Sequence, residues 1–336
     1  MTTQVPSSSG ASISFTGLLT RGSTQFGLWI ILSVLWVVFA SLSPGFLSTF
    51  NLNSLGRSVA VDVVVGFAQM VVLATGGMNL SVGAIGVCSV MLAGYLLQLL
   101  GLPIPLAIAG TLTFGGALGW LNGIAITKTG VNSFVVTLAT ASLFSGGMLI
   151  LSHGVPLNGL PPEMGAFGRA TVGPVPALAI VALAIGGLLY ILFAHSVLGR
   201  QILSVGANAR AAEMSGIPVS RVIVCVHVLS GVLAAAAALM LTARLGAAMP
   251  AVAGDDWLLP SFLAPVIGGT SLAGGAASVI GTILGALLVS TIRSGLLILQ
   301  FASFWLQFFL GVFLLAAILL ERYRSVLSAR EQTRQA

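Results

Sequence analysis

Long apolar runs separated by short polar segments dominate this sequence. The runs occupy residues 26–43, 58–75, 80–100, 104–126, 133–152, 174–194, 219–243, 259–273, 276–293 and 297–320. Because a helix needs about 20 apolar residues to cross the hydrocarbon core of a bilayer, this pattern predicts an all-α polytopic membrane protein with about ten transmembrane helices. Pro260 and Pro265 interrupt the eighth run, which predicts a broken helix there, satisfied by neighbouring protein or by a water-filled cavity.

Composition supports the same class. Of 336 residues, 57% are hydrophobic and 6% are charged, whereas a soluble domain carries about 25% charged residues. A soluble enzyme is therefore excluded, and the net charge of +6 is too scattered to indicate a nucleic-acid partner. The 42 glycines are typical of membrane helices that pack closely through small residues.

The distribution of basic residues predicts the orientation, because Lys and Arg are enriched in cytoplasmic loops. With ten spans and both termini cytoplasmic, nine basic residues fall on the inner side, namely Arg21, Lys128, Arg200, Arg210, Arg221, Arg322, Arg324, Arg330 and Arg334. Four fall on or near the outer side, namely Arg57, Arg169, Arg244 and Arg293. We therefore expect a disordered cytoplasmic tail over 1–25, a transmembrane domain over 26–322 and a cytoplasmic tail over 323–336.

The sequence offers no catalytic constellation. Lys128 is the one lysine in the chain, and a phosphate-binding loop ending on it would need glycines where Asn122 and Thr127 stand. The histidines are isolated, and neither they nor the cysteines have metal-ligand spacing. We expect no ATP hydrolysis by this chain, no metal and no cofactor.

Polar residues inside apolar runs are expensive in lipid and are candidates for a translocation path. These candidates are Asp62, Gln69, Asn79, Ser81, Asn122, Asn132, Ser133 and Thr137. Together they would form a path lined by amides and hydroxyls, which suits an uncharged sugar or polyol. The alternative is that each one caps a helix or bridges two helices.

Two glycine-rich segments resemble each other at an offset of 192 residues. Gly76-Gly77-Met78-Asn79-Leu80-Ser81-Val82-Gly83-Ala84 aligns with Gly268-Gly269-Thr270-Ser271-Leu272-Ala273-Gly274-Gly275-Ala276. The similarity indicates either an internal repeat, as in many transporters, or chance likeness between two glycine-rich connections. In both cases we expect tight turns or helix breaks at the Gly-Gly pairs.

The loop over 195–221 holds Arg200, Arg210 and Arg221 and lies on the predicted inner side, with a coupling loop expected over about 195–218. It contains a short segment of good helix formers that Gly216 and Pro218 would end. Such a segment is typical of a docking element for a soluble partner, although a plain solvated loop is the alternative.

Four ordered motifs point to a family. They are Thr75-Gly76-Gly77-Met78-Asn79-Leu80-Ser81-Val82-Gly83, then Leu121-Asn122-Gly123 with Val131-Asn132-Ser133-Phe134, then Gly206-Ala207-Asn208 through Ser215-Gly216-Ile217, then Ile267-Gly268-Gly269-Thr270-Ser271-Leu272-Ala273-Gly274-Gly275. Over about residues 45–320 the chain resembles the permease subunits of bacterial ATP-binding-cassette sugar importers of the ribose, xylose and galactose type.

This resemblance implies a multi-pass permease of the bacterial inner membrane that imports a monosaccharide or similar polyol by alternating access. It also implies the partners: a second permease subunit, a cytoplasmic ATP-binding subunit and a periplasmic sugar-binding protein. The family's coupling loop matches 206–217 here, which assigns contact with the ATPase to Asn208, Arg210, Ala211, Ala212, Glu213, Gly216 and Ile217.

The sequence departs from the family's pattern at acidic positions, where it has Asn79, Leu258 and Pro260. Asp255 and Asp256 lie a few residues earlier and are possible compensating acids. These departures leave the substrate open. A self-contained proton- or ion-coupled carrier with Asp62 as its proton site is the alternative, weakened by the lack of an obvious basic partner for Asp62.

Overall fold

A computed structural model describes residues 15–250 and 257–301, with a few further positions between 305 and 315. The described part is almost entirely helical. Its helices are α1 (Phe15–Leu42), α2 (Thr49–Leu73), α3 (Val82–Gly94), α4 (Ile104–Thr129), α5 (Ser133–Ser152), α6 (Pro162–Arg169), α7 (Ala177–His195), α8 (Val197–Ala207), α9 (Ala209–Met214), α10 (Val219–Leu245), α11 (Leu258–Ile267) and α12 (Val279–Ile298). A short 3₁₀ turn (Pro44–Leu47) precedes α2, and the wider turn Tyr95–Leu99 extends α3. Two short strands, β1 (Thr171–Val172) and β2 (Val175–Pro176), form an antiparallel hairpin.

Eight helices in the described residues are long and apolar enough to cross a membrane, which confirms the all-α polytopic class. The eighth apolar run does not form a span of its own. It forms α11, a buried helix of ten residues that contains Pro265 and measures about 15 Å at 1.5 Å per residue, half of a bilayer core. The tenth run begins in the last residues of α12 and otherwise falls mostly outside the described residues, so that span stays a prediction.

The first helix begins earlier than the apolar pattern predicts. It starts at Phe15, inside the segment expected to be a disordered tail over 1–25. Hydropathy marks only the residues that lie in hydrocarbon, whereas helical hydrogen bonds continue into the polar interface. The expected boundary between the tail and the first helix was therefore too late in the chain. Residues 1–14 and the tail over 323–336 lie outside the described residues.

Helix α2 occupies the centre of the described bundle. It packs against α10, α12, α11 and α7, and every residue from Ala60 to Leu73 is buried. Helix α5, by contrast, has one fully buried residue, Thr137. The protein therefore shields α2 from lipid and leaves peripheral helices to face the bilayer or another subunit.

Glycines bring α4 and α10 into backbone contact. Gly115, Gly119 and Gly123 recur every four residues on α4 and face α10. A Cβ at Gly119 would overlap the carbonyl oxygen of His227, and one at Gly123 would lie 2.7 Å from the Cα of Val224. The predicted close packing through small residues is confirmed for this pair of helices.

Chain connectivity defines two faces of the bundle. We call the face that carries α8 and α9 the inner face, since the distribution of basic residues predicts that it is cytoplasmic. The opposite face carries α6 and the β-hairpin, and a backbone bridge there joins Leu157 to Ala248. We call it the outer face.

Candidate functional site

The inner face presents a short exposed helix, as the sequence predicts. Asn208 begins α9, and its side chain accepts a hydrogen bond from the backbone N–H of Ala211 at 3.0 Å. After Met214 the chain reverses at Gly216, whose φ is 81°. Such a positive φ is costly for a residue with a side chain. The turn is closed by the Ile217 N–H, which donates to the carbonyl of Ala212 at 3.0 Å.

The predicted coupling residues share this element but differ in exposure. Ala212 is buried and anchors α9 to the bundle, whereas Met214 is 85% exposed. The exposed residues of the set are Asn208, Arg210, Ala211, Glu213 and Gly216, and Ile217 is half-buried. One face of α9 therefore exposes charged and apolar side chains, while the opposite face packs against the bundle through Ala212.

The end of α8 meets both glycine-rich segments at one point, which we call the glycine junction (Ala74, Gly76, Gly206, Gly274 and Gly275). The Gly275 N–H donates to the carbonyl oxygen of Ala74 at 3.0 Å. A Cβ on Gly206 would overlap that same carbonyl oxygen, and a Cβ on Gly274 would lie 2.6 Å from the backbone nitrogen of Gly76. Three separate parts of the chain thus touch through backbone alone, directly beside α9.

The structure confirms helix breaks at both glycine-rich segments. The first separates α2 from α3, and the second separates α11 from α12. Gly76 and Gly269 adopt positive φ values of 76° and 86°. The internal repeat itself stays a prediction, but its two halves are in contact.

Five buried polar side chains near the glycine junction are linked by hydrogen bonds, and we call them the polar network (Gln69, Asn79, Ser81, Asn122 and Ser230). Within the described residues, Oδ1 of Asn122 has no hydrogen-bond partner. The Asn79 amide donates to the Ser230 hydroxyl at 2.9 Å, and its oxygen accepts from the Ser81 hydroxyl at 2.7 Å. The Asn122 amide donates to that hydroxyl oxygen at 2.7 Å. With its amide oriented to satisfy both atoms, Gln69 donates to the Asn79 carbonyl oxygen at 2.8 Å.

The remaining polar candidates hold the start of α3 or cap a helix. The Ser133 hydroxyl accepts from the Met78 N–H at 3.0 Å, and the Thr137 hydroxyl accepts from the Leu80 N–H at 3.0 Å. Asn132 is exposed and caps α5 by accepting from the Phe134 N–H at 2.8 Å. The geometry therefore favours the capping and bridging interpretation of these residues over a lining of the translocation path.

Asp62 lies apart from the polar network. The Ser290 hydroxyl donates to its Oδ2 at 2.6 Å, and Nη1 of Arg293 lies 3.9 Å from the same oxygen. The expectation that Asp62 lacks a basic partner was wrong, because Arg293 comes from α12, more than 200 residues later in the chain.

Sequence reasoning missed Ser230 and Ser290, since a lone serine in an apolar run gives no signal of its own. A second signal was present: Arg293 also lies inside an apolar run, where an uncompensated charge is costly. Pairing the intramembrane charges of opposite sign would have suggested its contact with Asp62.

The bundle of long apolar helices, broken by glycine at two contacting points, defines a polytopic membrane transporter. The chain belongs to the family described as branched-chain amino acid transport system / permease component, whose model matches residues 52–318. It is therefore a permease component of a transport system. No solved structure was found to match the chain.

Named relatives align along most of the chain. The ribose import permease protein RbsC of Bacillus subtilis is 36% identical over 316 residues, covering 93% of this chain and 96% of its own. The D-allose transport system permease protein AlsC of Escherichia coli K12 is 34% identical, covering 89% and 91%. The probable ABC transporter permease protein YphD of the same organism is 33% identical, covering 94% of both chains.

Proposed function

We propose that this chain is the membrane-spanning permease subunit of an ATP-binding-cassette importer for a monosaccharide or a sugar-like polyol, working by alternating access. The observation that carries the proposal is the full-length similarity to permeases named for ribose and allose import. The alternative, a self-contained carrier that uses Asp62 as a proton site, is disfavoured because Asp62 is held by Ser290 and Arg293.

The partners follow from this class of transporter. ATP would be hydrolysed by a separate cytoplasmic subunit, and a periplasmic protein would deliver the sugar to the outer face. A second permease subunit would complete the assembly in the bacterial inner membrane, with both termini cytoplasmic. The orientation is supported by the basic residues on the inner face, among them Arg200, Arg210 and Arg221.

The route of coupling runs through the inner face. In this proposal α9 is the element that contacts the ATPase, since it is exposed, charged and anchored at Ala212. Movement of α9 would pass through α8 to the glycine junction, which touches the ends of α2 and the segment after α11. Because those contacts are backbone to backbone, no flexible side chain would absorb the displacement.

Reconstitution tests the proposed energy source. We expect the purified chain to show no ATPase activity alone, and proteoliposomes that also contain the ATPase and the binding protein to take up labelled ribose or allose only when ATP is enclosed. Uptake should survive an uncoupler and should stop when the lysine of the ATPase phosphate loop is replaced. Uptake that the uncoupler abolishes, or that proceeds without ATP, contradicts the proposal.

Cysteine crosslinking tests the coupling element. In a chain lacking Cys88 and Cys225, the variant Ala211→Cys should crosslink to the ATPase, whereas Ala166→Cys on exposed α6 should not. Glu213→Arg should weaken copurification with the ATPase while the permease still inserts, because Glu213 is exposed and belongs to no span. Crosslinking at Ala166 without crosslinking at Ala211 would overturn both the orientation and the coupling assignment.

A further inference from the structure

Two loops of the outer face meet at the end of α3. One is the loop over 153–160, which connects α5 to α6, and the other begins at Gly246, where α10 ends. Leu157 and Ala248 exchange two backbone hydrogen bonds, of 2.9 Å and 2.8 Å. A Cβ on Gly94 would lie 2.5 Å from the Cβ of Ala248 and 3.0 Å from a methyl carbon of Leu157, so both loops are packed against α3.

A side chain adds a third contact at this point. Gln98, four residues after Gly94, accepts a hydrogen bond on Oε1 from the backbone N–H of Gly159 at 2.9 Å. We call these five residues the outer latch (Gly94, Gln98, Leu157, Gly159 and Ala248). Leu157 packs against the main hydrophobic core, and Ala248 is fully buried. The outer latch therefore ties the connection between α5 and α6 to the ends of α3 and α10.

The loop over 153–160 has few other contacts that hold it. Leu157 and Leu160 are partly buried, and the other six residues of the loop are exposed. The loop leaves α5 through two residues in the left-handed region, His153 with φ 51° and Gly154 with φ 69°. Segments with few buried contacts open locally at a small part of the free energy of global unfolding. The outer latch can therefore release while the helices stay packed, unlike the backbone contact between α4 and α10.

The outer latch lies where a route from the outer face into the bundle begins. After α10 ends on the outer side, residues 246–250 are not helical, and α11 measures only half of a bilayer core. Trp257, which precedes α11, lies inside the bundle, because a Cβ on Gly86 of α3 would overlap its ring. Interrupted helices of this kind line the substrate route in many transporters. The chain thus runs inward from the outer latch beside α3, along the side of such a route.

We propose that the outer latch is the outer gate of the translocation path, closed in this structure, and that Leu157 and Ala248 part when solute enters. This inference rests on the proposed transport function and assigns one step of alternating access to named residues. Alternating access needs a contact at the outer end that breaks and re-forms in each cycle. The outer latch suits this role, since water replaces the partners of its backbone groups when the loop lifts.

A reversible crosslink tests the gate. The Cα atoms of directly opposed antiparallel residues lie about 4.5–5.5 Å apart, within the range that a disulfide spans. In a chain lacking Cys88 and Cys225, the pair Leu157→Cys with Ala248→Cys is oxidised after reconstitution with the ATPase and the binding protein. We expect ATP-driven uptake of labelled ribose to stop on oxidation and to return when dithiothreitol reduces the disulfide.

The matched control is Val172→Cys with Val175→Cys, a directly opposed and exposed pair in the β-hairpin of the same face. Its oxidation should leave uptake unchanged. Full uptake through the oxidised Leu157–Ala248 pair would overturn the gate, and so would failure of that pair to form a disulfide while the control pair forms one.

A second crosslink covers the case in which Ala248→Cys does not fold. Gln98→Cys with Gly159→Cys joins the same two parts of the chain, because a Cβ on Gly159 would lie 3.4 Å from Cγ of Gln98. Oxidation of this pair should also stop uptake of labelled ribose, and uptake that continues through it would contradict the proposal.

Labelling gives a readout that does not depend on transport. Because Ala248 is fully buried, Ala248→Cys should react slowly with a membrane-impermeant maleimide added from the outer side. Adding Gln98→Ala should make labelling about fivefold faster, the effect of losing one hydrogen bond of ordinary strength. Asn158→Ala, at an exposed position of the same loop, should leave the rate unchanged. Equal rates in the two variants would show that Gln98 does not hold the outer latch.

Failure of the gate can be told apart from failure of the proposed function. Absence of ATP-driven uptake in the unaltered protein would count against the importer itself. Normal uptake by the unaltered protein, together with full uptake after crosslinking, would remove only the gate.

Discussion

The inner and outer halves of α2 have different surroundings, although one helix carries both. The inner half ends at the glycine junction, whose contacts are backbone to backbone, and at the polar network, whose side chains are neutral and buried. The outer half carries Arg57, which is partly exposed, and Asp62, which is buried and lies 3.9 Å from Arg293 of α12. One end is held by backbone packing and neutral hydrogen bonds, and the other carries charged side chains.

This difference separates two uses of polar atoms in a membrane. In the polar network the amides of Gln69, Asn79 and Asn122 donate to other residues of the same chain, directly before α3 begins at Val82. At the outer half, Asp62 accepts from the Ser290 hydroxyl and lies 3.9 Å from Arg293, while Nε of Arg57 and Nε of Arg293 have no hydrogen-bond partner within the described residues.

The largest expected effect comes from enlarging the glycine junction. Gly206→Val places methyl groups against the Ala74 carbonyl and the Gly275 nitrogen, where no side chain can move aside. We expect destabilisation of about 3 kcal/mol or more, seen as lost monodisperse protein and a lowered unfolding temperature. Gly187→Val is the matched control, because nothing lies within 4 Å of a Cβ at that helical position. Comparable losses in both variants would show that the junction is not tightly packed.

A smaller effect is expected from opening the polar network. Asn79→Leu removes the acceptor for Ser81 and the donor to Ser230, which should cost about 2–3 kcal/mol since buried groups lose their partners. Asn79→Asp should cost less, because its oxygens accept from Ser81 and the Ser230 hydroxyl reverses to donate. Thermal unfolding of the two variants measures the difference, and a more harmful Asp variant would contradict this hydrogen-bond arrangement.

The smallest effect is expected from the ion pair of the outer half. A double-mutant cycle with Asp62→Asn and Arg293→Gln should give a coupling free energy of about 1 kcal/mol or less, because the 3.9 Å separation and the partial exposure of Arg293 weaken the pair. Chemical denaturation of the four proteins measures it. A coupling free energy as large as the stability lost in Asn79→Leu would show that the two halves of α2 do not differ in this way.

Local features were predictable from the sequence. Apolar runs located the long helices, and good helix formers followed by Gly216 located α9 and its turn. Hydropathy could not show that Leu258–Ile267 forms only half a span, because a half-helix buried in protein is as apolar as a lipid-facing one.

Contacts within the site were not predictable, because they join distant parts of the chain. Asn79 and Ser230 are 151 residues apart, and Asp62 and Ser290 are 228 apart. A single sequence carries the polar residues but not their pairing. Whether these polar residues line a translocation path or cap and bridge helices therefore depends on tertiary packing. The periodicity of apolar residues along the sequence does not encode that packing.

The long separation between Asp62 and its partners has a consequence for biogenesis. At a synthesis rate of about 5–20 residues per second, the 228 residues between Asp62 and Ser290 take roughly 10–50 seconds to translate. Throughout that interval α2 has already left the ribosome while α12 does not yet exist. The nascent chain must therefore keep a buried acid and Arg57 out of the hydrocarbon by holding α2 near the translocation channel or against α3 and α7. The release of α2 from that channel is thus constrained by Asp62, whose partners Ser290 and Arg293 are made more than 200 residues later.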